Sequence, residues 1–245
     1  MADYREQAQY GTQVRSRTAA EIDEGLRSYM LGIYNYMAIA MVITGGVAMF
    51  VANLAMNNAG FAQVLYGSPL KWVVMLAPLA FVMVLSFGIN KLSASAAQIL
   101  FWVYSAVMGL SLSSIFLVYT GASIAQTFFV TAAAFGALSL YGYTTKRSLS
   151  AMGSFLMMGL FGLIIAMLVN LFLQSSALSF AVNVIGVLIF AGLTAWDTQR
   201  LKETYDMVVG NGEAMAKSSI MGALSLYLNF VNMFMFLLSF MGDRE

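Results

Sequence analysis

Residues 148–199 read SLSAMGSFLMMGLFGLIIAMLVNLFLQSSALSFAVNVIGVLIFAGLTAWDTQ, and the 49 positions from Ser148 to Trp196 hold no Asp, Glu, Lys or Arg. A helix needs about 20 apolar residues to cross the hydrocarbon core of a bilayer. The stretch therefore reads as two spans, 150–173 and 177–198, and it closes on the carboxylate of Asp197. An acid at or inside a bilayer is expensive to keep charged and is usually there for a reason.

Outward from this stretch the same reading gives five more spans, 29–55, 70–90, 95–118, 123–143 and 219–241. The apolar runs are continuous and lack the alternation of a lipid-facing β-barrel. Of the 245 residues 60% are hydrophobic and 9% charged, where soluble domains carry about 25% charged residues. The chain is thus expected to be an all-α integral membrane protein: a polar tail, residues 1–28, followed by a seven-helix membrane domain, residues 29–242. The tail mixes Asp, Glu and Arg and has neither the early apolar stretch nor the small-residue cleavage site of a signal peptide. It is read as a cytoplasmic segment ending in a short amphipathic helix. Ten Lys and Arg residues fall in the tail and the even connections, against Lys71 and Arg244 on the other side. By the positive-inside rule the N-terminus is cytoplasmic and the C-terminus outside.

Composition also excludes. There is no Cys and no His, which removes disulfides, thiol nucleophiles, zinc or haem sites built on those residues, and any Ser-His-Asp triad. No nucleophile has a base beside it, so an enzyme is not expected. A net charge of +1 without an Arg-rich run gives no case for nucleic acid. Any pH response near neutrality has to come from a carboxylate.

Polar residues within the spans are few. At about 100° per residue, Asn183, Thr194 and Asp197 share one face of the sixth span, and Ser225, Asn229 and Asn232 share one face of the seventh. Buried polar groups in lipid need partners, so these two faces are expected to turn toward each other as a hydrogen-bond network or a narrow hydrated path. Two readings of Asp197 stand. It lies about 15 Å from the middle of its span, where it could reach water at the headgroups or serve as an interior acid. Lys91, on the same side, is either its ion-pair partner or a lysine reaching for headgroups. Pro78 reads as a kink in the second span, structural or hinge-like. Gly109 with Ser113, Ala132 with Gly136, and Gly159 with Gly162 read as close helix packing. Gly-Asn-Gly at 210–212 marks a turn, before which the sixth helix is expected to run on past the membrane surface.

Several long motifs then make the chain resemble the Bax inhibitor-1 family, in its bacterial branch. They are GLRSYMLGIYNYMA (Gly25 to Ala38), GLSLSSIFLVYT (Gly109 to Thr120), the run from Phe135 to Asn170, FAGLTAWDTQRLK (Phe190 to Lys202) and ALSLYLNFVNMF (Ala223 to Phe234). The resemblance implies a seven-helix fold with a central last helix, residence in the bacterial inner (plasma) membrane, and a slow pH-sensitive calcium leak. In that picture two acids, one ending the sixth helix and one in the seventh, share a proton. Asp197 matches the first, while Asn229 stands where the family often has Asp. An amide donating to Asp197 favours its charged form, so weaker or shifted pH sensitivity is expected. Calcium prefers six to eight oxygen ligands with more than one carboxylate, so Asp197 is expected to hold it only weakly, as a transported ion rather than a cofactor. The expected partners are the lipid bilayer, calcium or another cation, and, as the alternative function, a membrane-anchored AAA protease regulated by this chain.

Overall fold

The structure, a computed structural model, describes residues 19–244. The expected tail therefore lies largely outside the described residues. What is described of it, from Ala19, is already helical and continuous with the first span. The helices are α1 (Ala19–Asn57), a short α2 (Ala59–Ala62), α3 (Leu70–Gly88), α4 (Ala94–Leu112), α5 (Gly121–Thr144), α6 (Ser150–Leu173), α7 (Ser176–Val208) and α8 (Gly212–Met241). A single π turn, Gln63–Gly67, precedes α3, and a 3-10 turn, Ser113–Leu117, extends α4. Seven of these helices are long and apolar enough to cross a membrane, and the chain is a multi-pass membrane protein.

Local chemistry fixes the helix starts. Ser93, Thr120, Ser175 and Asn211 each cap a helix by accepting a hydrogen bond from a backbone N–H three residues on. Such caps satisfy donors that would otherwise be orphaned. α6 ends where Gln174 turns left-handed at φ 50°, and Asn170 bonds the Ser175 N–H and the Ser179 hydroxyl across the break. Gly210, at φ 98°, makes the turn between α7 and α8.

α8 is the central helix. Its buried residues, among them Gly222, Leu226, Tyr227, Asn229, Phe230 and Phe234, cover more than half of its circumference, and no residue from Ser219 to Leu238 is exposed. A helix that is apolar all round belongs in an interior. Its principal neighbours are α1, α4, α5 and α7, while α3 leans on α4 and α6 on α7 as an outer layer. Tyr227 packs edge-on against Tyr104 and Phe101 of α4. Its hydroxyl donates to Thr44 Oγ1 at 2.7 Å, and that group donates to the Ser105 carbonyl at 2.9 Å. This relay ties α8, α1 and α4 together in the core.

The small-residue pairs behave unequally. A Cβ on Gly109 would stand 2.5 Å from the Thr44 carbonyl oxygen, so that glycine does let α4 approach α1. Gly136 and Gly162 have nothing within 4 Å of a Cβ, and no helix packs closely on either. The expectation of close packing at Gly136 and at Gly162 is therefore corrected: a small residue permits approach but does not bring a neighbour.

α7 and α8 form a long antiparallel hairpin. α7 continues beyond its span to Val208, running on to the 210–212 turn as expected, while α8 begins at Gly212 rather than 219. The α7–α8 turn and the start of α1 share one end of the bundle, the turn end, where Tyr29 Oη and Ser218 Oγ are 2.7 Å apart. The opposite end holds the α4–α5 connection and the last described residues, joined by a bridge between Tyr119 and Arg244.

Candidate functional site

Asp197 lies in α7 where two glycines bring neighbouring helices close. Gly142 of α5 packs on the Ala195 carbonyl and Gly153 of α6 on the Trp196 ring, and neither leaves room for a Cβ. With α8 in front, the carboxylate is only 4% exposed. Its Oδ2 accepts a hydrogen bond from Asn229 Nδ2 at 2.7 Å and from Ser225 Oγ at 2.9 Å, both on α8. Its Oδ1 is 2.7 Å from Arg200 Nη2. That contact is a charge contact without hydrogen-bond alignment, so buried Oδ1 has no aligned donor. Arg200 also donates to Ser225 Oγ at 3.4 Å, and its guanidinium lies 4.8 Å from the Trp196 ring centre. A buried carboxylate survives in this setting because donors and a cation surround it.

The constellation read from sequence separates into parts. Asp197 and Asn229 meet, together with Ser225. Asn183 does not join them: it lies 14 residues, about 21 Å, along the helix, and donates to Ser239 Oγ at 3.0 Å instead. Thr194 is fully buried but donates to the Phe190 carbonyl of its own helix. Asn232 turns back to the Leu228 carbonyl. Lys91 is exposed in the turn after α3, and the cation at Asp197 is Arg200. Of the two readings of Lys91, the ion pair with Asp197 is not formed, and an i, i+3 pair within α7 stands in its place. Arg200 counts among the charges of the α7–α8 connection in the sequence, and in the continuing α7 the Asp-x-x-Arg spacing brings it within reach.

Gln199 was also missed. It is buried, accepts from the Leu149 N–H at 2.7 Å and donates to the Arg147 carbonyl at 2.9 Å. One side chain thereby fastens the α5–α6 connection to α7 beside the carboxylate. Next to it, Thr198 Oγ1 donates to the Thr194 carbonyl and lies 3.4 Å from Ser139 Oγ of α5.

Access to the cluster comes from the turn end. A cavity of about 390 Å³ between α3, α7 and α8 reaches Arg200 and Ser225. It shares Ser218 and Met221 with a second cavity of about 430 Å³ lined by Asn90, Asn211, Glu213 and Lys217. Toward the opposite end the α7–α8 seam is filled by aromatic rings: Phe190 stacks on Phe236, which also fills the space over Gly186. Among the described residues no three acidic side chains converge as a metal cage, and Asp197 brings a single carboxylate.

The family model described as inhibitor of apoptosis-promoting Bax1 matches residues 26–245. An uncharacterized protein of Rickettsia prowazekii (strain Madrid E) is 50% identical over 223 residues, which is 91% of this chain and 92% of that protein. An uncharacterized protein of Caulobacter vibrioides is 48% identical over 234 residues, 94% of each chain. The inner membrane protein YbhL of Escherichia coli (strain K12) is 47% identical over 233 residues, 94% of this chain and 98% of its own.

Proposed function

We propose, because the chain belongs to the Bax inhibitor-1 family, that it is a pH-sensitive leak pathway or transporter for calcium or another cation in a bacterial inner membrane, controlled at Asp197. The observation that carries this reading is the buried carboxylate held between α7 and α8 by Asn229, Ser225 and Arg200. The turn end is the cytoplasmic side, following the excess of Lys and Arg there.

Each residue has a part. Arg200 occupies the cation position at Asp197 Oδ1, so an incoming ion has to displace an arginine whose side chain is 47% exposed. Asn229 and Ser225 hold the other carboxylate oxygen and keep it aligned when Arg200 leaves. One carboxylate with neutral oxygen donors makes a weak calcium site, which suits passage better than retention. Protonation of Asp197 removes its attraction for any cation, and the seam then stays shut by the packing of Phe190 and Phe236.

The test is purified protein in liposomes with a calcium-sensitive dye. Asp197→Asn keeps the size of the side chain and removes the charge, and it is expected to lower calcium entry severalfold at pH 7. Entry at the wild-type rate in that variant removes Asp197 from the mechanism.

A further inference from the structure

α1 and α5 run antiparallel past each other at the turn end without closing. Between them lies a groove of about 480 Å³ that opens to the side of the bundle. Buried Met30 and Phe135 form its floor, and exposed Leu31 and Leu140 stand at its edges. Gly136 lies in its wall, where a Cβ would meet nothing within 4 Å. From Arg27 to Tyr34 the groove extends about 10 Å down α1, at 1.5 Å per residue.

We infer that this groove binds an acyl chain of an anionic phospholipid taken from the surrounding bilayer, with the lipid phosphate at Arg27. The groove belongs to two membrane-crossing helices, so what fills it is what surrounds them, and an apolar trough at that depth takes a hydrocarbon chain. The charge at its mouth selects the headgroup. Arg27 is exposed, lines the groove, and has no carboxylate within 4 Å among the described residues, although Asp23 and Glu24 lie one turn before it. Across the groove the Lys202 ammonium rests on the Tyr143 carbonyl at 3.1 Å and lies 5.2 Å from the Tyr143 ring centre. Tyr143 is itself a groove residue, so Lys202, which does not line the groove, puts a second cation against one of the residues that do. Basic pockets between membrane helices recruit phosphate-bearing headgroups in this way. A bidentate guanidinium suits a phosphate, while a zwitterionic headgroup brings a cation that the two basic residues repel.

The site is separate from Asp197, and its test reads lipid rather than ion flux. Detergent-solubilised protein is mixed with phosphatidylglycerol or phosphatidylcholine of the same acyl chains, and native mass spectrometry counts retained lipid. Wild type is expected to retain phosphatidylglycerol severalfold better than phosphatidylcholine. Gly136→Leu fills the trough and should lower retention of both lipids. Arg27→Gln, at an exposed position that cannot disturb the core, should bring phosphatidylglycerol down to the phosphatidylcholine level. Gly162→Leu, on an exposed helix face with equal room and outside this groove, should change nothing. Equal retention of the two lipids by wild type, undiminished retention in Gly136→Leu, or an equal loss in Gly162→Leu would each overturn the site.

Discussion

Replacing Asn229 by Asp puts a second carboxylate where an amide nitrogen now stands 2.7 Å from Asp197 Oδ2. The donor is lost, and the pair regains one only by keeping a proton between its two acids. Two unit charges 4 Å apart interact by about 4 kcal/mol at an effective dielectric constant of about 20, and each 1.4 kcal/mol or so is a tenfold change in proton affinity. The variant pair alone would therefore hold its proton more tightly than an isolated acid. Arg200 opposes this from 2.7 Å, but it is half-exposed and partly screened. Asn229→Asp by itself should steepen the pH dependence of calcium leak, and adding Arg200→Gln should move the steep region upward into the range of about pH 6 to 8. Stability follows the same sign. A pair that binds its proton more tightly folded than unfolded stabilises the fold at low pH and loses that contribution as pH rises through the proton's release. The assay is dye-reported leak in liposomes from pH 5 to 8 for wild type and both variants. Superimposable profiles for wild type and Asn229→Asp would refute the claim that positions 197 and 229 act as one site.

Two further outcomes concern stability, read by denaturant titration of the detergent-solubilised protein. Gln199→Leu strands the buried Leu149 N–H and the Arg147 carbonyl, so it should cost about 2–4 kcal/mol, and unchanged stability would mean water replaces the side chain. Gly109→Ala forces a Cβ against the Thr44 carbonyl and Val47 and should destabilise by about 1–3 kcal/mol, whereas Gly136→Ala, with open space around it, should stabilise by up to about 1 kcal/mol. Effects of the same sign at both glycines would contradict the geometry.

The spans were legible because the bilayer demands a fixed length of apolar chain, and charge-free runs such as Ser148 to Trp196 meet it openly. Their ends were less legible at the α7–α8 hairpin. Residues 200–218 are polar enough to read as a connection, yet Leu201 and Tyr205 are buried against the core and keep the chain helical. The run-on of α7 to the 210–212 turn is legible in the sequence, but Arg200, counted among the connection's charges, is not searched there as an i, i+3 partner. The two readings of Lys91 stay open in the sequence for another reason: charge counting gives a residue's side of the membrane and nothing about its direction around the bundle.

Helical-face arithmetic gives direction but not depth, and the turn supplies what it lacks. In an antiparallel hairpin, residues equally distant from the turn face each other. Asn183 and Ser239 each lie 28 residues from Asn211, Gly186 and Phe236 each lie 25, and Asp197 and Ser225 each lie 14. Each of these pairs is in contact. Asn229, one turn beyond Ser225, reaches the same carboxylate from the next position on that face. The residue opposite Asn232 by this rule is Phe190, and the one opposite Thr194 is Leu228. Neither can accept or donate through its side chain, and both polar groups bond their own helices instead. The turn at Gly210 therefore decides which polar residues of the last two helices form a site: a shift of one residue in its length would rotate the facing set and leave Asp197 buried without the amide that now holds it.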